Sequence, residues 1–498
     1  MCTKFVKCLC SISDTSKNPK PPSMQELKSA CLPFSQYAPP SLGSALMNNL
    51  KLSSDLPIIV LEEIFAMLSL RERFNASQVC KNWLDCFYSP RVWEKLEFQE
   101  RSFTKKIFSV YQGLQYRFNH RKFQLSLGRI GAFIKKIVVH PVGDYYNLYE
   151  FMTVLDTYLT FFPDNPMPLL KTFDFTFYCE NKGPAGSFVY GTGGNIFRKL
   201  KVLISHMPYL TNLKLQNVLL SLADAQNLLD DVLNNCGDTL KVLEMLNITS
   251  EMCPLFQVGM FRNLRRLVIS PQQLNEDLLL TIARKSINEL HISQDQYIIP
   301  NSITTPSPET WSEARRLNSL LQVKLLCVGR SKYDMVWQEK APVTGVIYDT
   351  VYALVTPLSV LNVIDHYSDT LQVYGHKSLP RIHGSRAFND RIDSNILLLV
   401  RGCPKIHTLI IRDRISTASI VLIASECKNL KRLYIRQNAI LKRMDWSKVP
   451  EWSNDFYWWL KGCSKSFDTM QAEVSRIIGY PWRALTDKEF ISLSEYDI

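Results

Sequence analysis

The 498-residue chain has no uncharged apolar run near the roughly 18 residues that a membrane-spanning helix needs. Runs such as Ile396 to Val400 are far shorter, so a membrane-spanning chain is not expected. The opening MCTKFVKCLCSIS lacks the unbroken apolar core of a signal peptide, because Lys4 and Lys7 interrupt it, and secretion is not expected either. A disulfide framework is also missing. The 13 cysteines are odd in number, and most lie in apolar periodic segments, the pattern of buried free thiols in a reducing compartment, cytoplasm or nucleus. There is no H-E-x-x-H and no pair of C-x-x-C knuckles, so no metal ligand set is expected. Gly191, Gly193 and Gly194 lack a following G-K-[ST] and read as a loop between repeats, not a phosphate cradle. The sequons at Asn75 and Asn247 would go unused inside a cell. No catalytic residue and no cofactor is expected, and the chain reads as a non-enzyme.

Acidic residues are missing from one long stretch. Between Arg101 and His140 stand nine Lys or Arg and no Asp or Glu, which accounts for most of the net charge of +12. The basic character is therefore local. Seven aromatics from Phe103 to Phe133 are interleaved with these cations. The stretch reads first as a solvated flank joining two modules. Contact with an acidic or phosphorylated protein is one alternative, and contact with single-stranded nucleic acid is another. At 46% hydrophobic and 21% charged residues, the chain as a whole is that of a folded globular protein.

What is present falls into five regions. Residues 1–53 hold six prolines between Pro19 and Pro40 and no persistent period, which predicts a mostly disordered tail. Cys2, Cys8 and Cys10 read as stray cysteines of that tail, with acylation the lesser alternative. Residues 54–98 predict a small helical module. Asp55 could cap its first helix, with Glu62 and Glu63 near the first turn, and a second helix is expected from about Arg71 through Leu84. Residues 99–132 form the basic linker or capping segment.

Residues 133–441 carry a repeated frame, L-x-x-L-x-L-x-x-N/C-x-L, the leucine-rich pattern. It is clear at Leu264, Leu267, Ile269 and Leu274, and at Leu430, Leu433, Ile435 and Ile440, with Asn438 on the Asn/Cys position. Further frames start at Leu210, Leu240, Ile287, Leu320 and Ile406, and weaker ones at Ile134, Leu170, Val343 and Leu371. Successive starts lie 23 to 40 residues apart, with helical periods between them, as over Ser221 to Cys236. Cys236, Cys403 and Cys427 each precede a frame, which predicts one repeated structural role. Stacked strand–helix units bury their apolar faces against one another, so an α/β solenoid with a parallel sheet on its concave side is expected. Residues 442–498 hold five of the nine tryptophans and read first as a C-terminal cap, with an aromatic contact surface as the alternative.

The stretch SDLPIIVLEEIFAMLSLRERFNASQVCKNWLDCFYSPRVW resembles an F-box. The matching positions are Leu56 and Pro57, Ile59 and Leu61, Ile64 and Phe65, Leu68, Ala76, Val79 and Cys80, Trp83 and Trp93. The charged turn departs from the family pattern, holding Arg71, Glu72 and Arg73 where an Asp is common. Phe74 stands where a smaller aliphatic is usual. A small helical F-box followed by an irregular leucine-rich-repeat solenoid is similar to substrate receptors of SCF ubiquitin ligases, loosely the F-box only group. The resemblance implies docking on a Skp-type adaptor, and through it a cullin and a RING subunit, with the repeats holding a protein substrate for ubiquitination and degradation. Leu56, Pro57, Ile59, Leu61, Ile64, Phe65 and Leu68 are the expected adaptor contacts, with Val79, Cys80 and Trp83 packing the module. Some of these must be core. No membrane partner is expected. The rival reading is a leucine-rich-repeat scaffold, without ligase role, that touches nucleic acid through the basic stretch. The long insertions near 295–312 and 375–395 are where substrate contacts would be sought.

Overall fold

The computed structural model describes residues 56–493, apart from 112, 162–165, 179–180, 183–187, 190–191, 193, 250, 286, 299–302 and 382–383. The tail predicted over 1–53, with Cys2, Cys8 and Cys10, lies outside the described residues, as do Asp55, Gly191 and Gly193. The chain divides into two compact units, residues 1–92 and 93–498.

The first unit holds α1 (Ile58–Met67), α2 (Leu70–Ala76) and α3 (Lys81–Phe87). The predicted second helix is thus two. The first of them ends at Ala76, and Cys80, fully extended at φ −158° and ψ 172°, holds the N-cap position of the next. The N-cap of α1 is Pro57, which offers no side-chain cap. Glu62 and Glu63 sit past its first turn, so they act through side-chain partners and not through the helix dipole.

The second unit opens with β1 (Lys95–Phe98), the hairpin β2 (Thr104–Ser109) and β3 (Gly113–Phe118), α4 (His120–Ile130), β4 (Lys136–Val139), α5 (Tyr145–Phe161) and β5 (Thr172–Thr176). A small pair, β6 (Asn181–Lys182) and β7 (Phe188–Val189), leads to α6 (Gly194–Ser205), β8 (Asn212–Gln216), α7 (Leu222–Cys236), β9 (Val242–Leu246) and β10 (Arg266–Ile269). Then come α8 (Glu276–Ala283), β11 (Glu289–Gln294), α9 (Pro308–Leu317), β12 (Gln322–Gly329), β13 (Val343–Thr350), α10 (Pro357–Tyr367) and β14 (Val373–His376). The chain continues through α11 (Asp393–Gly402), β15 (Thr408–Ile411), β16 (Ile415–Ser416), α12 (Thr417–Glu426), β17 (Arg432–Ile435) and β18 (Ile440–Leu441). It closes with α13 (Asn454–Cys463), α14 (Phe467–Ile478) and α15 (Asp487–Ile491).

Among the described residues, twelve strands form one sheet in the order β1-β4-β5-β8-β9-β10-β11-β12-β13-β14-β15-β17. Every neighbouring pair is parallel. This is an α/β solenoid architecture, and its register explains the repeated frame. Leu213, Leu243, Leu267, Leu290 and Val323 stand opposite one another on successive strands and form one fully buried rung. The strand period of two puts their neighbours on the other face, where Lys214, Glu244, Val268, His291 and Lys324 form a parallel row. Helices pack in succession on the buried face, as α5 on α6, α8 on α9 and α11 on α12.

The weaker frames are as real as the clear ones. Ile134, Leu170, Val343 and Leu371 are all buried. Two details differ from the pattern. Leu320 is exposed and Leu321 takes the buried place. Asn438 is exposed and donates to Asp487, whereas Asn247 is buried and donates to Asn217 at 2.8 Å and Asp295 at 2.6 Å. Cys236, Cys403 and Cys427 each close the helix before a strand, and burial pushes their thiols up to about 12, 12 and 11. They are protonated packing groups.

The C-terminal segment closes the last strand. Trp482 donates to the Leu433 carbonyl at 2.6 Å, and Trp446 to Ser419 at 2.8 Å. Leu485 pairs with Ile435 and Gln437 along the free edge of β17. From there, Phe490 and Leu493 cover Ile347, Val373 and Ile410 on the sheet face opposite the helices.

Candidate functional site

The first unit stands on a small core and one buried cation. Leu61 and Phe65, one turn apart on α1, face inward and are fully buried. Trp83 on α3 meets Phe65 edge to face at 5.7 Å. Cys86 is buried beside them, and its thiol is pushed up to about 11, by burial first and then by Glu62. The predicted adaptor contacts Leu61 and Phe65 are therefore core, together with Trp83.

The charged turn does the work of a cap. Ser69 and Glu72 form a reciprocal capping box at the start of α2. Arg73, the residue after it, is buried. Its guanidinium donates to the carbonyls of Phe65 at 2.9 Å, Ala66 at 3.0 Å and Leu68 at 3.0 Å at the end of α1, the first of which also accepts the Leu68 amide. It also donates to Val92 at 2.7 Å, tying the far end of the unit back to α1. Ser89 donates to Glu62 and Arg91 pairs with Glu63, which adds two more ties across the same junction. The sequence marks this turn only as a departure from the family pattern. Nothing in an Arg-Glu-Arg run on a surface helix signals that one of its cations is buried.

The other predicted residues are turned outward or half-buried. Pro57 is exposed, Ile59 is 63% exposed, and Leu56, Ile64, Leu68 and Cys80 are half-buried. Val79, expected to pack the module, is 52% exposed. Further exposed apolar residues join them: Ile58, Val60, Met67, Phe74, Leu84 and Tyr88. Helix α1 is apolar on both sides, IIVLEEIFAM, and a helix with one buried face needs only one. That signal was available in the sequence. Eight large apolar side chains exposed in so short a unit exceed what an isolated surface needs and fit a surface that meets a partner.

Among the described residues, no group of three or more His, Cys, Asp or Glu is placed to hold a metal ion. Among them too, no helix is long and apolar enough to cross a membrane.

The F-box domain family matches residues 53–95. No curated protein matches the chain. Among solved structures, the chain is similar to one from the crystal structure of the Rad7 and Elc1 complex in yeast, at 10% identity and a TM-score of 0.35, covering 87% of this chain and 97% of that one. It is also similar to a chain of the TLR13–ssRNA13 complex, at 13% identity and a TM-score of 0.26, covering 64% of this chain and 50% of that one. The ordered Leu-Pro to Val-Cys to Trp positions, the three short helices and the family match agree: this chain carries an F-box domain at residues 53–95.

Proposed function

We propose that this protein is the substrate-recognition subunit of an SCF-type E3 ubiquitin ligase. The observation that carries the reading is the row of bare apolar side chains on the F-box itself, Ile58, Ile59, Val60 and Met67 on α1 with Val79 beyond α2. An apolar helical face of this kind gains stability when a partner's groove covers it. The partner is a Skp-type adaptor, which brings a cullin and a RING subunit. Leu56, Pro57, Ile59, Ile64 and Leu68 contact the adaptor, joined by Ile58, Val60, Met67 and Val79. Leu61, Phe65 and Trp83 act through the fold that presents them.

The repeat sheet then holds a protein substrate. Its face opposite the helices is lined with paired charges, Lys136 with Asp174 at 2.5 Å, Lys214 with Glu244 at 3.0 Å, and Arg266 with Glu289. Such a row suits a polar protein surface. The receptor forms no covalent bond with its substrate. It raises the effective concentration of substrate lysines near the charged ubiquitin-conjugating enzyme.

The double variant Leu56→Ala with Pro57→Ala tests this reading. It is expected to lose co-purification with the adaptor while the repeat unit keeps its unfolding transition. Unchanged co-purification would refute the assignment.

A further inference from the structure

The basic stretch contains a feature that the ligase reading does not use. Strands β2 and β3 pair with each other as a separate antiparallel hairpin, outside the twelve-stranded sheet. Its base is fixed. Phe118 is buried against Phe98, Phe123 and Phe151, with ring centres 6.1, 5.6 and 6.4 Å away. Asn147 accepts from the Phe118 amide at 2.8 Å and donates to the Tyr116 carbonyl at 2.8 Å.

The other end is bare. Ile107, Phe108, Val110, Tyr111 and Leu114 are all exposed, Val110 by 87% and Tyr111 by 97%. Below this tip, Lys105 stands directly across from Arg117, and Lys106 lies beside it across from Tyr116. Like charges directly opposite on paired strands repel. At the base, Glu100 and Asp144 line the same cleft as Arg117; Glu100 accepts from the amides of Gly143 and Asp144, and Asp144 from Asn147.

The hairpin therefore carries two costs, exposed apolar tip residues and a facing pair of like charges, offset only in part where Arg117 donates to Gln115 at 3.2 Å and lies over the Tyr146 ring. One kind of surface relieves both, one that is apolar within and anionic at its border. We propose that the hairpin of β2 and β3 is a peripheral anchor for an anionic lipid bilayer. Phe108, Val110, Tyr111 and Leu114 enter the boundary between headgroups and acyl chains, and Lys105, Lys106 and Arg117 meet the anionic headgroups. A protein partner would have to supply a cavity shaped to this tip, whereas the boundary of a bilayer needs no preformed shape. Single-stranded nucleic acid prefers a lined groove of stacking rings, whereas three of these five tip residues are aliphatic. The lack of a membrane-crossing helix among the described residues does not bear on surface attachment. The inference is independent of the adaptor contact.

The test is vesicle flotation of the full chain. Vesicles of phosphatidylcholine are compared with vesicles that contain about one-third phosphatidylserine. Binding is expected on the anionic vesicles, to weaken with salt, and to be at least about tenfold weaker on phosphatidylcholine alone. Phe108→Ser with Tyr111→Ser is expected to lower binding about tenfold or more, as is Lys105→Glu with Lys106→Glu, while Tyr111→Phe keeps it. Because these side chains are exposed, the variants should unfold at the parent temperature, which separates lost contact from lost fold. No binding to anionic vesicles would overturn the proposal, as would binding that the tip variant leaves unchanged. A single-stranded oligonucleotide that binds through the same residues, with no vesicle binding, would overturn it in favour of nucleic acid.

Discussion

Replacing Arg73 by Met should open the F-box while leaving the repeat unit intact. Met keeps most of the stem that packs in the unit and removes the guanidinium. The hydrogen bonds to Phe65, Ala66, Leu68 and Val92 go with it. The Ala66 and Leu68 bonds are partly buried, so water can replace them. The Phe65 and Val92 bonds are buried, so water does not replace them; the Phe65 carbonyl keeps only the Leu68 amide, and the Val92 carbonyl loses its charged donor. At about 1.5–3 kcal/mol for each such bond, the loss is about 3–6 kcal/mol. A unit of a few dozen residues has only about 0.1 kcal/mol of stability per residue, so a loss of this size matches all it has. Hydrogen exchange read by peptide mass is the assay, with the repeat unit as internal reference. Amides of 58–92 should lose protection and those of 243–292 keep theirs. Unchanged protection over 58–92 would refute the claim that this cation holds the module together.

Three further outcomes follow from the structure. Ile59→Asp should abolish adaptor co-purification without changing stability, since the side chain is exposed, whereas Leu61→Ala should cost about 2–5 kcal/mol and weaken binding only through the fold; equal stability of the two variants would contradict the division between contact and core. His291 is buried on the sheet face, and burial, then Lys324 and Arg266, lower its pKa from 6.5 to about 4, against the opposing pull of Glu289. The unfolded chain binds a proton between these values that the folded chain refuses, so stability is full above pH 6.5 and falls as pH drops toward 4, by up to about 3 kcal/mol; His291→Gln should flatten that part of the denaturant-measured pH profile, and a parallel profile would contradict the assignment. A Cβ added at Gly375 would lie 2.5 Å from the Ile410 Cβ, which cannot swing away, so Gly375→Ala should lower stability by roughly 1–3 kcal/mol in thermal unfolding; an unchanged midpoint would show that the strands part freely.

The repeat architecture was legible because its cause is periodic. A frame such as Leu430, Leu433 and Ile435 places three side chains on one side of a strand start, and each is buried as that spacing requires. Even Val343 and Leu371, weak as matches, behave alike. The hairpin at 104–118 escaped notice because cations occupy its outward positions and its apolar tip is bare, so no in-and-out alternation marks a strand. Within the F-box, the ordered positions were legible and their division into core and surface was not. Leu61 and Ile59 are both aliphatic and two residues apart, and only the helical turn sends one in and the other out. Arg73 and Asn247 were illegible for a different reason. A buried polar residue is set by the carbonyls or amides around it, and those come from distant positions, Val92 in one case and Asp295 in the other.

The most direct test of the account is co-purification of the intact chain with a Skp-type adaptor, beside a chain lacking residues 54–92. That deletion spares β1, which belongs to the sheet. Binding by the intact chain that disappears with the deletion is the predicted result. Absence of binding by the intact, folded chain, or binding that survives the deletion, would contradict the receptor role.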